Sequence, residues 1–317
     1  MAGRQNKGRK NILSMSLNNY GKIIRQYIGT GKITLDSEYS TEFELVQISN
    51  GDIYVLCKIY QYTPLVIGCP IKLSGKTNDD NEIQFEGTLI SINIGELITV
   101  IARGKCAYIG NLPEKGKELS IIFGLTNLTM LGTDPYEYNK QGWKCFCLQY
   151  YLKLEEFDVF IRRVPEYEEV INHIKCSGGI DVSCTAVFQV VSTENINDIK
   201  RIMNNLCYLL TIAKGCKINW IYYDIFFNGS CIYSQHENRI TKPFCTLQLI
   251  APGEDLKYFV NKTYNKFVEV KEFLELEKAI DEFTDAKMEG DYLEFRALKL
   301  VVTMEHLKNY INKLMIY

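Results

Sequence analysis

Residues 217–242 hold the densest group of side chains that could do chemistry. Strand alternation over this stretch puts Ile218, Trp220, Tyr222 and Asp224 on one face, with Asn219, Ile221 and Tyr223 on the other. Asn228-Gly229 reads as a hairpin turn. The return strand then brings His236, and the segment after it supplies Asn238, Arg239 and Lys242. If exposed, Trp220, Tyr222, His236, Asn238, Arg239 and Lys242 make a binding site. Their rings would stack a base or a sugar, the cations would hold a phosphate, and the imidazole would work as an acid or base near neutral pH. If buried, the same rings are core, packed against a helix at 196–214.

The remaining candidates are weaker. Only three histidines occur, His173, His236 and His306, and nothing in their spacing makes a metal site. No zincin helix, nucleophile elbow, Walker loop, dinucleotide fingerprint or EF-hand loop is present. Gly29-Thr30-Gly31-Lys32 is a fragment of a phosphate loop, without its first glycine or the hydroxyl residue after the lysine. Arg162 and Arg163 end a strand, where neighbours point to opposite faces. Arg296 and His306 share a face of the last helix but lie roughly 15 Å apart along its axis, too far to grip one phosphate. Trp143, Tyr150 and Tyr151 would serve a glycan-binding β-domain if exposed. No cofactor and no metal is expected, and the balance leans away from an enzyme.

Composition bounds what positions these groups. The chain has 317 residues, is 46% apolar and 23% charged, and carries a net charge of −2. That is a folded chain with room for two domains and no overall basic field for nucleic acid. Its 11 cysteines sit in apolar runs without a framework, which reads as reduced thiols and a cytoplasmic setting. No apolar run approaches the roughly 20 residues that span a bilayer, so no membrane partner is expected.

The elements fall into four stretches and make an α+β chain. Residues 1–16 are a basic tail carrying Arg4, Lys7, Arg9 and Lys10. Residues 17–163 are runs such as FELVQI, DIYVLCKIY and IQFEGTLISIN between turn signals, with Asn50-Gly51 a hairpin. Without intervening helices these strands form an antiparallel sandwich or barrel. Residues 164–250 are mixed. They hold a helix opened by Pro165, a strand DVSCTAVFQVV, an amphipathic helix over 196–214 capped by Thr193 or Asn195 and ended at Gly215, and the hairpin. Residues 251–317 are helical: 255–276, a more acidic continuation over 277–289, and 292–316. The apolar stripe of the last helix runs from Leu293 through Leu300, Val301, Met304 and Leu307 to Leu314. It needs a cover: a partner chain, a second copy, the β-region or sequence beyond this chain.

The order of parts resembles a known family. A β-rich region, then LCYLLTIAKGCKINWIYYDIF, then helices around FRALKLVVTMEHLKNYI, is similar in layout to the N-terminal sensor regions ahead of Apea-type HEPN domains in prokaryotic defence proteins. The resemblance implies a sensor or interaction module that acts through a protein partner, with RNA or a nucleotide as a further ligand. The arginine–histidine motif of HEPN nucleases, with four to six residues between the two, is missing here, so nuclease activity is not implied.

Overall fold

The computed structural model describes residues 22–60, 65–95, 97–140, 143–239, 242, 248–286 and 293–314. The basic tail lies outside them, as does the segment around Gly290. The chain divides into two compact units. The first comprises residues up to Leu112 together with Tyr233–Asn238, and the second Pro113–Ile232 together with the chain from Arg239 on. The strands of the 17–163 stretch are therefore shared between the two.

The first unit is a closed antiparallel barrel. Its strands are β1 (Ile23–Thr34), β2 (Glu38–Ile48), β3 (Ile53–Ile59), β4 (Pro70–Thr77), β5 (Glu82–Ile94) and β6 (Ile98–Gly110). Pairing runs β1–β2–β3–β6–β5–β4 and returns to β1. Alternation fills the inside with Ile33, Phe43, Leu45, Val55, Cys57, Leu73, Phe85, Val100 and Ala107. Register shifts between Glu86 and Gly87 and between Leu89 and Ser91 supply bends that a closing sheet needs. The glycines of Gly29-Thr30-Gly31-Lys32 have a structural use. This segment is mid-strand in β1, Gly31 pairs with Gly75 of β4, and a Cβ on Gly31 would overlap the backbone of Ser74 and Gly75. It is a close approach between barrel strands and cradles no phosphate.

The half of β6 that does not meet β3 pairs with a late strand. Tyr233–Glu237 belongs to β13 (Ser230–Glu237), which lies antiparallel to β6 with His236 opposite Ala107.

The second unit carries an antiparallel sheet ordered β12–β7–β11–β10–β9–β8. These strands are β7 (Glu118–Thr126), β8 (Asp134–Lys140), β9 (Trp143–Leu154), β10 (Phe157–Arg163), β11 (Val182–Ser192) and β12 (Trp220–Phe227). Helices α1 (Tyr167–Ser177), α2 (Ile196–Lys214), α3 (Glu254–Val270), α4 (Leu276–Ala286) and α5 (Leu293–Leu314) complete it. Helix α2 buries Ile199, Ile202, Met203, Leu206, Leu209 and Leu210, and ends at Gly215, whose left-handed backbone lets its N–H reach Thr211 and Ile212 carbonyls.

Two local expectations are corrected. Neither Thr193 nor Asn195 caps α2. Thr193–Asn195 forms a single 3-10 turn whose entry is held by Ser192, while the Thr193 hydroxyl donates to the Glu114 carbonyl at 2.9 Å. The helix expected over 255–276 with a direct continuation breaks between α3 and α4, where Glu275 takes a left-handed backbone and Lys271 pairs with Glu277 across the turn at 2.9 Å. The buried stripe Leu256, Val260, Tyr264 and Phe267 stops before that break, so no packing carries the helix through it.

Helix α5 packs along α4. Leu298, Leu300, Val301, Val302 and Met304 remain exposed on it, Met304 at 71%. No described helix is long and apolar enough to cross a membrane.

Candidate functional site

A polar cleft in the second unit follows one face of α2. Asn197, Lys200, Arg201, Asn204, Asn205 and Tyr208 recur at helical spacing on it. Asn219, Arg239 and the α3–α4 turn close the cleft, which has a volume of about 470 Å³. Its walls carry four cations, Lys200, Arg201, Arg239 and Lys271, against two carboxylates, Glu272 and Glu277.

Trp220 anchors this wall from beneath. It is fully buried, with Phe123 at 5.3 Å and Tyr223 at 5.9 Å between ring centroids. Its indole N–H donates to Asn204 Oδ1 at 2.9 Å. The Arg239 guanidinium lies over the Trp220 ring at 3.5 Å and donates to the same Asn204 oxygen at 2.8 Å. The stack and the shared acceptor fix the guanidinium plane. Trp220 therefore offers its ring to Arg239 and to the core, and has no open face for a ligand.

Strict alternation over β12 does not hold. A register shift between Trp220 and Tyr222 turns Trp220 onto the same side as Tyr223. Tyr222 instead lies across Gly124 of β7, where a Cβ would overlap its ring. It is half-buried and does not line the cleft.

The other cations of the cleft are held as well. Arg201 grips Glu155 with two hydrogen bonds of 2.7 Å, and Tyr264 donates to the same carboxylate at 3.1 Å. The guanidinium keeps the Glu155 carboxyl below the usual range despite partial burial. Lys200 sits 4.8 Å above the Tyr223 ring. Asn205, completely buried, differs from its neighbours. Neither its oxygen nor its nitrogen reaches a partner in good hydrogen-bonding geometry among the described residues, although the Tyr264 hydroxyl lies beside it.

His236 and Asn238 belong to the first unit. His236 is completely buried at the barrel wall. Its Nδ1 lies 2.7 Å from Gln47 Oε1 and its Nε2 3.2 Å from the Tyr27 hydroxyl. With an oxygen facing Nδ1, the proton sits there and Nε2 accepts from Tyr27. Burial, helped by the Arg25 charge, pushes the imidazole down to about 3. It is a neutral structural histidine at physiological pH, unsuited to acid–base work. The Asn238 side chain donates to the Gly104 carbonyl at 3.1 Å. Lys242, in the second unit, pairs with Asp285, and its carbonyl accepts from Asn127 at 2.9 Å. Of the six sequence candidates, the cleft contains Arg239 alone, with Trp220 directly behind it.

The glycan-binding candidates are also dispersed. Tyr150 is buried, and its hydroxyl accepts the Gly253 N–H at 2.7 Å, whereas Tyr151 is exposed and donates to Asp158 at 2.9 Å. The Trp143 side chain lies outside the described residues. No group of three His, Cys, Asp or Glu able to hold a metal occurs among the described residues.

Sequence reasoning missed Asn197, Lys200, Asn204 and Asn205. The available signal was a polar stripe at 197, 200/201, 204 and 208, opposite the apolar one used to assign the helix.

Residues 115–246 match the family model described as YopA central domain, which is less than half of the chain and spans most of the cleft residues. No curated protein and no solved structure matches.

Proposed function

We propose that this chain is a non-catalytic recognition module whose ligand, a small molecule bearing phosphate, docks in the α2 cleft of the second unit. One observation carries the reading. A concave wall brings together the fixed guanidinium of Arg239, Lys200, the ion-paired Arg201 and Lys271, four asparagine amides and Tyr208, with no serine, threonine, cysteine or histidine among its described lining residues. Such a wall positions an anion and a hydrogen-bonding body without chemistry to perform on them. Against the rival reading, an RNA- or nucleotide-directed enzyme built on His236, stand the complete burial of that side chain at the barrel wall and its lowered basicity. The layout shared with sensor regions of HEPN-type defence proteins supports a sensing role for the module.

The test is equilibrium binding of a labelled nucleoside triphosphate mixture to the full chain, followed by analysis of the recovered nucleotide. Binding is expected with no turnover, and Arg239→Ala should weaken it about tenfold or more. Hydrolysis that persists through purification, or equal binding by wild type and Arg239→Ala, overturns the reading.

A second reading concerns partners and rests on α5. Its exposed Leu298, Val301, Val302 and Met304 make an apolar helix face, and a second copy of this chain presents the identical face for an isologous contact. Light scattering should then give a dimer mass that Met304→Glu reduces to a monomer. A monomer from the unmodified chain removes this reading.

A further inference from the structure

We propose that the outer face of β9 and β10 binds single-stranded nucleic acid, with Arg162 holding a phosphate and the Tyr151 and Phe160 rings stacking bases. Register places these groups together. Phe160 of β10 faces Tyr151 of β9, and Ile161 faces Tyr150, so Arg162, Phe160 and Tyr151 share one side of the sheet while Ile161 and Tyr150 share the other. Helices lie against that other side. Arg163, which alternates with Arg162, sits over the Tyr167 ring of α1 at 4.4 Å, and the Tyr150 hydroxyl accepts the Gly253 N–H just before α3. On the outer side Tyr151 is 39% exposed, and Phe160, Arg162 and Tyr136 of β8 are half-buried.

Arg162 is a fixed cation without a counter-charge. Its guanidinium lies 3.8 Å from the centre of the Tyr136 ring and 5.6 Å from that of Phe160, and its Nε donates to the buried Gln149 at 2.9 Å. Arg103, Arg163 and Arg201 each meet a carboxylate. Arg162 meets none among the described residues, and its two terminal nitrogens have no hydrogen-bond partner among them. Asp158, on the same face, is already held by Lys153 at 3.0 Å and by the Tyr151 hydroxyl at 2.9 Å. A half-buried fork in this state selects an oxyanion, which it can grip with two parallel hydrogen bonds. The rings choose among oxyanions. Tyr151 and Phe160 lie 5.4 Å apart between centroids at 30° and continue the row from Arg162. A free phosphate makes no use of them, whereas a single strand alternates phosphates with flat bases that stack on rings and guanidinium planes. A duplex keeps those base faces covered. One open fork, rather than a basic field, suits a chain of net charge −2, so stacking carries most of the affinity and binding tolerates any sequence.

The experiment is fluorescence anisotropy of the full chain with a labelled single-stranded RNA of mixed sequence, competed by the same RNA as a duplex, by tripolyphosphate and by oligoglutamate. The single strand is expected to bind and to resist all three competitors. Tyr151→Ser, at an exposed ring, should weaken binding about fivefold or more. Arg162→Gln should weaken it too, and should flatten the slope of log K against log salt by about 0.7, the share of one phosphate contact. Should Arg162→Gln fail to fold, Tyr151→Ser decides alone. No binding, equal binding by wild type and Tyr151→Ser, or displacement by the duplex or tripolyphosphate overturns the proposal. Displacement by oligoglutamate overturns it in favour of an acidic peptide. Loss of binding in Arg239→Ala but not in Tyr151→Ser assigns the RNA to the α2 cleft and overturns the proposal while leaving that cleft standing as a ligand site.

Discussion

Acidification from pH 7 to pH 5 should weaken the first unit by about 2 kcal/mol through His236 alone. The folded imidazole is held down to about 3, against an ordinary value of 6.5, because it is fully buried and near the Arg25 charge. The unfolded chain therefore takes up a proton below pH 6.5 that the barrel refuses until about pH 3. Stability falls with pH across that window and levels off beneath it. At pH 5 the unfolded histidine is almost fully protonated and the folded one is neutral, a gap of about 1.5 pH units at 1.36 kcal/mol each. Both tryptophans lie in sequence outside the first unit, so indole fluorescence does not report on it. Native-state hydrogen exchange followed by mass spectrometry does, through peptides covering β2, β3 and β6. In His236→Leu the imidazole is gone, and its hydrogen bonds with Gln47 and Tyr27 are lost, so this variant starts less stable at pH 7. Its loss between pH 7 and pH 5 should nonetheless be smaller than that of the wild type by about 2 kcal/mol. Equal losses in the two proteins would mean that His236 titrates normally, and the buried hydrogen-bonded arrangement would be refuted.

Two more outcomes follow from packing and burial. Gly124→Val should cost upwards of about 2 kcal/mol by forcing Tyr222 off β7, and Gly124→Val with Tyr222→Ala should recover part of it, both read from guanidinium midpoints by tryptophan fluorescence. Burial pushes the thiols of Cys57 and Cys184 up to about 12 and that of Cys207 to about 11. At pH 8 in the native protein these three should stay unmodified by iodoacetamide while exposed Cys176 and Cys231 react, and mass spectrometry of tryptic peptides separates the two groups.

Elements with strong local signals were legible in the sequence. The α+β class, the antiparallel N-terminal strands, α2 with its Gly215 terminus, and the turn at Asn228 and Gly229 all follow from periodicity and turn chemistry. The site was less legible, for identifiable reasons. A single register shift at Trp220 undoes the alternation that grouped it with Tyr222. The hairpin's return strand leaves for another unit, so His236 and Asn238 part from Arg239 within three residues. Neither event has a local signature, because both are decided by which distant strand offers its hydrogen bonds. The polar stripe of α2 was visible, but a polar helix face reads as solvent-facing until something is known to stand opposite it. The gap between α3 and α4 was hidden by a charge pattern that suits a continuous helix, and only the end of the buried stripe at Phe267 marks it.

The late strand of the barrel sets an order of events during synthesis. Ala107 and its neighbours on β6 leave the ribosome more than a hundred residues before His236, their hydrogen-bonding counterpart. At about 5–20 residues per second the wait is on the order of ten seconds. For that interval the nascent chain holds six strands able to close and a seventh place unfilled. A ribosome pause or an early stop anywhere before Tyr233 leaves an open hydrogen-bonding seam in the first unit, whatever the state of the rest.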